Sequence, residues 1–352
     1  MQNGAEFVDD MPNKPQPAFA ENNVPVVFAA NDQFVPYMAT MMYSVMMHAN
    51  PQRNYDFLVL HTDISPKNDA TLHAMLGAFP NVSLRLIDVS AYTSSFSFYT
   101  ANREDFSEEA YYRLLIPEIM EGYDKVLYLD GDMVALADVA ELYQTDLGEN
   151  LVASSRDLCG LMSYYNPLED RRKYRDAVLK LKNPNDYFIT GMLLFNVPAF
   201  RAAYSYDYLL KFAASRDWLQ HDQDVLNVLC EGRTKLVSAS WDVIKPELYQ
   251  RMPAEYRREL DDSIEHPKIV HFGGAMKPWV SLDAPFGELF WRYAAQTPYI
   301  QEIIKRRIYL DRPPFSVRGA MEEEFREGKV GARYIVRFLR AWLGYKLERK
   351  RA

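Results

Sequence analysis

The chain has 352 residues, of which 48% are hydrophobic and 25% charged, and its net charge is −8. That length and balance describe a globular protein able to bury a substantial core in one large α/β domain or two smaller ones. An acidic body does not suggest non-specific nucleic-acid binding, and two cysteines, Cys159 and Cys230, define no disulfide framework and point to a reducing, intracellular setting.

Residues 1–23 are acidic and contain Pro and Asn, without the basic start and apolar run of a secretory signal, so they read as a mobile tail. A buried strand is expected at 24–30, then a polar turn at Asn31, Asp32 and Gln33. The following stretch, 34–49, reads as a Met-rich core helix; its polar residues argue against a membrane span. A strand at 55–61, a helix at 66–79 and a strand at 82–88 come next, and Ser107 is a plausible N-cap for a helix running to Met120. Strands follow at 125–129, 151–155 and 191–196, with a polar, Tyr- and Arg-rich segment at 157–188 expected as an insertion near the cleft. A helix after Pro198, a short helix opening at 221–227 and a late strand at 268–272 complete the series. Beyond about residue 284 the pattern turns helical and peripheral.

Strands alternating with helices imply a mainly parallel sheet with helices on both faces, and such sheets bind nucleotides outside the C-terminal ends of their strands. Asn31, Asp32, Asp130 and Asp132 all fall at such ends. The run Lys125–Asp132 delivers two carboxylates one residue apart, separated by Gly131, which lets the backbone turn tightly. Paired carboxylates suit a hard divalent cation, Mg²⁺ or Mn²⁺, and such a cation commonly also holds phosphate oxygens. The bland alternative is a polar Asp-Gly turn after a strand. The glycine-rich dinucleotide and P-loop fingerprints and the Ser-hydrolase elbow do not occur, so those enzyme classes are unsupported.

Four separated motifs point further: Val-Val-Phe-Ala-Ala-Asn-Asp at 26–32, Lys-Val-Leu-Tyr-Leu-Asp-Gly-Asp at 125–132, His-Asp-Gln-Asp-Val-Leu-Asn at 221–227, and Val-His-Phe-Gly-Gly-Ala-Met-Lys-Pro-Trp at 270–279. In this order and spacing the chain resembles glycosyltransferase family 8, retaining enzymes that include bacterial lipopolysaccharide galactosyl- and glucosyltransferases and, more distantly, glycogenin. The resemblance covers about 24–285 and implies there a single nucleotide-sugar-binding domain of GT-A type, with a Mn²⁺ that holds the UDP diphosphate; the helical, basic extension expected over 286–352 rests on the residue pattern alone. Asp130 and Asp132 match the family's Asp-x-Asp metal ligands and His271 the third protein ligand. Gly274 matches a point of close backbone approach to phosphate, and Lys277 a point charge on it. Ala29, Asn31 and Gln33 fall on the strand-to-turn segment that contacts uracil and ribose, Asn31 and Gln33 by position only, because members often carry Asp and Asn there.

Arg113 matches an arginine reaching the diphosphate or donor sugar, and Asp157 a carboxylate that binds sugar hydroxyls. Asp222 matches a residue hydrogen-bonded to the donor sugar, though it could also cap its helix. Gln223 lies where the family places a side chain beside the anomeric carbon, and Asp224 is the next candidate for stabilising positive charge. Ile189, Thr190 and Gly191 stand where members commonly show Asn-x-Gly.

The expected activity is Mn²⁺-dependent transfer of galactose or glucose from a UDP-sugar to a glycan or glycolipid acceptor such as lipopolysaccharide core. The alternatives are a sugar nucleotidyltransferase, whose Gly-rich basic loop is not seen after the first strand, and a catalytically silent sugar-nucleotide-binding protein. Residues 325–352 carry nine Lys or Arg against two Glu, with Arg333, Arg337 and Arg340 on one helical stripe. Basic and aromatic residues so mixed suit an interfacial helix on anionic lipid, which places the protein in the cytoplasm, peripheral on the inner face of the plasma membrane.

Overall fold

Every residue of Asn23–Ala29 after the first is buried, and this run forms β1 near the middle of the main sheet. A strand covered on both faces must be apolar throughout, which is why it shows no alternation. The computed structural model describes residues 14–93, 108–166, 170–246, 252–274 and 276–311. With β2 (Asn54–His61), β3 (Val82–Asp88), β4 (Lys125–Leu129), β6 (Val152–Ser155), β7 (Met192–Asn196) and β8 (Thr234–Val237), β1 builds a seven-stranded sheet of order β3-β2-β1-β4-β7-β6-β8. A separate two-stranded sheet pairs β5 (Met133–Ala135) with β9 (Ile269–His271).

The sheet is mainly parallel, as the alternation of elements implies: β1 runs parallel to β2 and β4, β2 to β3, and β6 to β8. One strand is reversed. β7 is antiparallel to both β4 and β6, so β6 still points the same way as β4. The C-terminal ends of β1, β4, β6 and β8 therefore open on one edge, and the N-terminal end of β7 joins them. Strand order reverses direction between β1 and β4, the position at which an α/β sheet leaves a crevice.

The helix Val35–Met47 packs as expected, with Met38, Met41, Met42 and Met46 buried. The stretch expected as one helix to Met120 instead splits into a 3₁₀ segment, Glu108–Leu115, and a short α-helix, Ile116–Ile119. Pro117 has no N–H, and its ring would clash with the carbonyl of residue 113 were one α-helix continued through it. Ser107, expected as the cap, lies outside the described residues. The segment after Asp157 contains the helices Leu158–Tyr165 and Arg171–Tyr174 and a π-helical turn, Arg175–Leu179. The strand expected at 268–272 is found as β9, which pairs with β5 rather than entering the main sheet.

Residues 14–22, read from sequence as tail, are fastened to the body. Lys14 is paired with Glu118 and Glu121, and the Gln16 carbonyl accepts from Arg85 at 2.7 Å and from the Tyr123 hydroxyl at 3.0 Å. The buried Asp56 organises this corner, since its carboxylate takes Arg85, Tyr123 and the Ala18 N–H. Cys159 and Cys230 are both free thiols. The chain divides into a compact unit from Met1 to Pro298 and a second from Tyr299, of which the described part is the helix Ile300–Asp311. Among the described residues no helix is long and apolar enough to cross a membrane. The basic stretch 325–352 lies outside the described residues.

Candidate active site

The turn after β4 presents the two carboxylates at the crevice edge. Gly131 has no positive φ; it is required by space, because a Cβ there would stand 2.9 Å from Phe34 Cε1 and 3.0 Å from Met38 Cβ. The small β5–β9 sheet sets Met133 opposite His271, and the Phe272 N–H bonds the Asp132 carbonyl at 2.9 Å. That pairing brings a residue 139 positions downstream of Asp132 to its side. Oxygens of Asp130 and Asp132 and a ring nitrogen of His271 lie within 4.8 Å of one another.

Asp242 completes this group, and sequence reasoning missed it. Its Oδ1 lies 2.8 Å from His271 Nδ1, so Nδ1–H donates to the carboxylate and Nε2 is left facing Asp132 Oδ1 at 3.4 Å and Asp130 Oδ2 at 3.9 Å. Such a carboxylate–imidazole pair fixes the tautomer that a metal ligand needs. Gly191 provides the room, since a Cβ at that position would meet His271 Cε1 at 2.5 Å. Two carboxylates, one oriented imidazole and this cleared space fit a divalent cation of the Mn²⁺ or Mg²⁺ kind.

The charges of this group act strongly on one another. Burial opposes charge on His271, but Asp242 and Asp132 outweigh it and hold the imidazole pKa well above its usual value. Burial likewise opposes the Asp132 carboxylate, and Lys277 and His271 overcome it, keeping that group well below the carboxylate range. At Asp130 burial raises the pKa, Arg113 pulls it back, and neighbouring Asp132 leaves the net shift upward.

Arg113 is buried and ties three parts together. Nη2 donates to Asp130 Oδ1 at 2.8 Å, Nη1 to the Thr190 carbonyl, and Nε lies 3.2 Å from Asp222 Oδ2. Its guanidinium also sits 4.6 Å from the centre of the Tyr128 ring. Asp222 is not the helix cap: it is the first residue of the helix Asp222–Leu229, and its carboxylate takes the Thr190 hydroxyl at 2.9 Å besides Arg113. The cap is His221, held at φ 50°, ψ −126°, a strained backbone for a residue with a Cβ and of a kind that gathers at functional sites.

Gln223, one position on, is held at both ends of its amide. Nε2 donates to Asp157 Oδ2 at 3.0 Å, and Oε1 accepts from the Thr190 N–H at 3.3 Å. Asp157 also caps the helix Leu158–Tyr165 through its Oδ1, which accepts from Gly160 N at 2.7 Å. Asp224 is placed elsewhere. It is fully buried, and its two oxygens accept from Tyr187 and Tyr174 hydroxyls, each at 2.7 Å, so it braces the helix instead of joining the cluster.

Of the remaining candidates, Lys277 bonds Asp132 Oδ2 and the Phe272 carbonyl, beside the Asp130–Asp132–His271 group. Gly274 has φ +78°, which accounts for glycine there. Ala29 ends β1, and Asn31 closes the turn after it with its Oδ1 accepting from the Phe34 N–H at 3.0 Å. Gln33 is exposed on that same turn. Ile189 is buried, and Thr190, its neighbour, supplies the polar contacts to Asp222 and Gln223.

Residues 25–283 match the sequence profile of Glycosyl transferase family 8. The chain belongs to glycosyltransferase family 8. Its relatives include lipopolysaccharide hexosyltransferases. Lipopolysaccharide 1,3-galactosyltransferase of Salmonella typhimurium is 22% identical over 286 residues, 78% of each chain. Among solved structures, the bifunctional glycosyltransferase WbbM in its apo form is 30% identical with a TM-score of 0.73, covering 84% of this chain and 53% of WbbM. The galactosyltransferase LgtC, solved with donor and acceptor sugar analogues, is 25% identical with a TM-score of 0.63, covering 78% of this chain and 96% of LgtC. The family 8 chain thus has the GT-A-like fold, with a mostly parallel sheet, flanking helices and a helical C-terminal region, and it is a glycosyltransferase. It spans about half of WbbM.

Proposed function

We propose that this glycosyltransferase moves galactose or glucose, with retention of configuration, from its UDP-sugar to a glycan or glycolipid acceptor of the lipopolysaccharide-core type. The observation that carries the reading is the convergence of Asp130, Asp132 and His271 at the crevice edge of a family 8 fold. Asp130, Asp132 and His271 would hold Mn²⁺, for which Mg²⁺ is a chemically reasonable substitute. Such an ion supplies neutralisation of the charge that develops on the departing diphosphate.

The chain's own residues have distinct tasks. Lys277 and the backbone around Gly274 contribute a point charge and close approach to the diphosphate. Ala29, Asn31 and Gln33 take the nucleoside, and Arg113, Asp157 and Asp222 take the diphosphate-proximal sugar. Retention by double displacement needs a free carboxylate beside the anomeric carbon. Asp222 is engaged by Arg113 and Thr190, and Asp224 by two tyrosines, whereas the residue between them is an amide and a poor nucleophile. This favours substitution on one face, in which a leaving diphosphate oxygen takes the acceptor proton and the Gln223 carbonyl oxygen stabilises positive charge at the sugar. The basic sequence 325–352 is assigned to an anionic membrane surface on the inner face of the plasma membrane, each basic residue contributing about 1 kcal/mol.

The test is UDP release from UDP-galactose, UDP-glucose and UDP-N-acetylglucosamine with and without Mn²⁺. One hexose is expected to be cleaved, only with metal. Asp130→Asn and Asp132→Asn should each abolish it, several kcal/mol of lost stabilisation at about tenfold per ~1.4 kcal/mol. Consumption of UTP instead, or full activity in either variant, would overturn the reading.

A further inference from the structure

Arg175 has no place in the site as described so far, yet it is only 2% exposed and carries a guanidinium whose Nη1 and Nη2 find no hydrogen-bond acceptor among the described residues. A buried charge is retained only where something compensates it. Two groups do. The guanidinium lies 3.7 Å from the centre of the Tyr187 ring, stacked on its face, and Nη2 stands 3.6 Å from Asp157 Oδ2. That is the same oxygen that accepts from Gln223 Nε2.

We infer that Arg175 is a positioning residue of the transfer site: its guanidinium holds the Asp157 carboxylate, and through it sets the Gln223 amide. The inference rests on the assignment of Asp157 and Gln223 to the donor sugar above. Its own support is geometric. Arg175 opens a π-helical turn, a local irregularity often found at functional sites, and it comes from the Tyr- and Arg-rich segment after β6. Its other partner, Tyr187, donates to Asp224 on the helix that carries Gln223, so both neighbours of the guanidinium bear on that helix. Gly160 admits the arrangement. A Cβ there would stand 2.0 Å from Asp157 Oδ2 and 2.6 Å from Arg175 Nη2, inside contact distance of both.

Asp157 takes three partners at once: the Gly160 N–H at Oδ1, and Gln223 and Arg175 at Oδ2. With Arg175 present, the carboxylate stays aimed, and the Gln223 amide keeps its nitrogen toward Asp157 and its oxygen toward Thr190. Without it, that oxygen loses its cation, and the Gln223 amide is free to rotate. The effect belongs to turnover, not to nucleotide binding, because neither Asp157 nor Arg175 touches the Asp130–Asp132–His271 group.

The experiment is a double-mutant cycle on UDP-hexose hydrolysis with saturating Mn²⁺, using Arg175→Met, Asp157→Asn and the pair, alongside UDP affinity by calorimetry. Arg175→Met is expected to lower kcat roughly ten- to a hundredfold with UDP affinity within about twofold, and the double variant to be no worse than Asp157→Asn alone. Arg175→Lys, which keeps the charge, should recover part of kcat. If Arg175→Met does not fold, Arg175→Gln makes the same test, since it removes the charge, leaves Asp157 in place and keeps a polar side chain there, and the same kcat loss is expected. Unchanged kcat in Arg175→Met, or multiplicative losses in the double variant, would overturn the inference alone. A wild-type protein that neither binds UDP nor cleaves any UDP-hexose would overturn the donor assignment and this inference with it.

Discussion

Asp242 Oδ1 accepts from His271 Nδ1 at 2.8 Å, with both residues buried, and this contact decides which ring nitrogen faces the two carboxylates after β4. It arises because β9 pairs on one side with β5, which follows Asp132, and bridges on the other to Val243, which follows Asp242. One short strand thus delivers the imidazole between the Asp130 and Asp132 carboxylates and the carboxylate that orients it.

Asp242→Asn removes that orienting charge while leaving the ligand set untouched. The expected outcome is a metal affinity lower by on the order of 10–100-fold, with activity recovered at high Mn²⁺. Titrating Mn²⁺ into the UDP complex by calorimetry checks it. Wild-type affinity in this variant would show that the contact does not orient the ligand.

The His271 pKa is raised, burial lowering it less than Asp242 and Asp132 raise it. A raised pKa means that the folded metal-free protein binds this proton more tightly than the unfolded chain. The stability so gained is full below the unfolded value near 6.5 and is lost as pH climbs through the folded value. A divalent cation needs the neutral ring, so it competes with that proton and binds better as pH rises. Thermal melts between pH 6 and pH 9 should show a Mn²⁺-induced rise in Tm that grows with pH. A rise independent of pH would contradict a protonated His271 in the metal-free protein.

Asp222 is buried, and its carboxyl is pushed up to about 6, burial exceeding the opposing pull of Arg113. The folded protein therefore favours the protonated form, so this group's stabilising contribution is present at low pH and lost as pH rises from the unfolded value near 3.8 through about 6. Activity is expected to run the other way, because the ionised form is the one that accepts from Arg113 and Thr190 and, under the proposed function, from a sugar hydroxyl. At saturating Mn²⁺, kcat/KM should fall below about pH 6, and Asp222→Asn should show a lower plateau without that limb. An identical acid limb in Asp222→Asn would assign it to another group.

Gly191→Ala places a methyl group 2.5 Å from His271 Cε1 and 2.7 Å from the Met133 side chain. Overpacking of this kind costs about 1–3 kcal/mol, and here it moves a ligand. Loss of the Mn²⁺-induced Tm shift is expected, together with a lower Tm. Retention of both would mean that the ring can yield without leaving the site.

Deleting 326–352 removes the nine basic residues of the C-terminal stretch and should release the protein from anionic vesicles while sparing UDP-sugar hydrolysis. Co-sedimentation with phosphatidylglycerol vesicles reads the result. Equal binding with and without this stretch would remove the membrane assignment.

The amino-acid sequence by itself determined the alternation of strands and helices and the placing of Asp130 and Asp132 at a strand end. Both are local: an apolar run or a helical period is written in consecutive residues, and β3 was legible to the residue at 82–88. The four motifs likewise carried the family. Tertiary structure alone decided the reversal of β7, the pairing of Arg113 with both Asp130 and Asp222, and the burial of Asp224 under two tyrosines. It also supplied Asp242 and Arg175, which no motif marks, and the contacts of Thr190 to Asp222 and Gln223. Strand direction and the partners of a buried charge depend on residues tens to hundreds of positions away. Hydrophobic periodicity records which face of an element is covered, but not which distant side chain covers it.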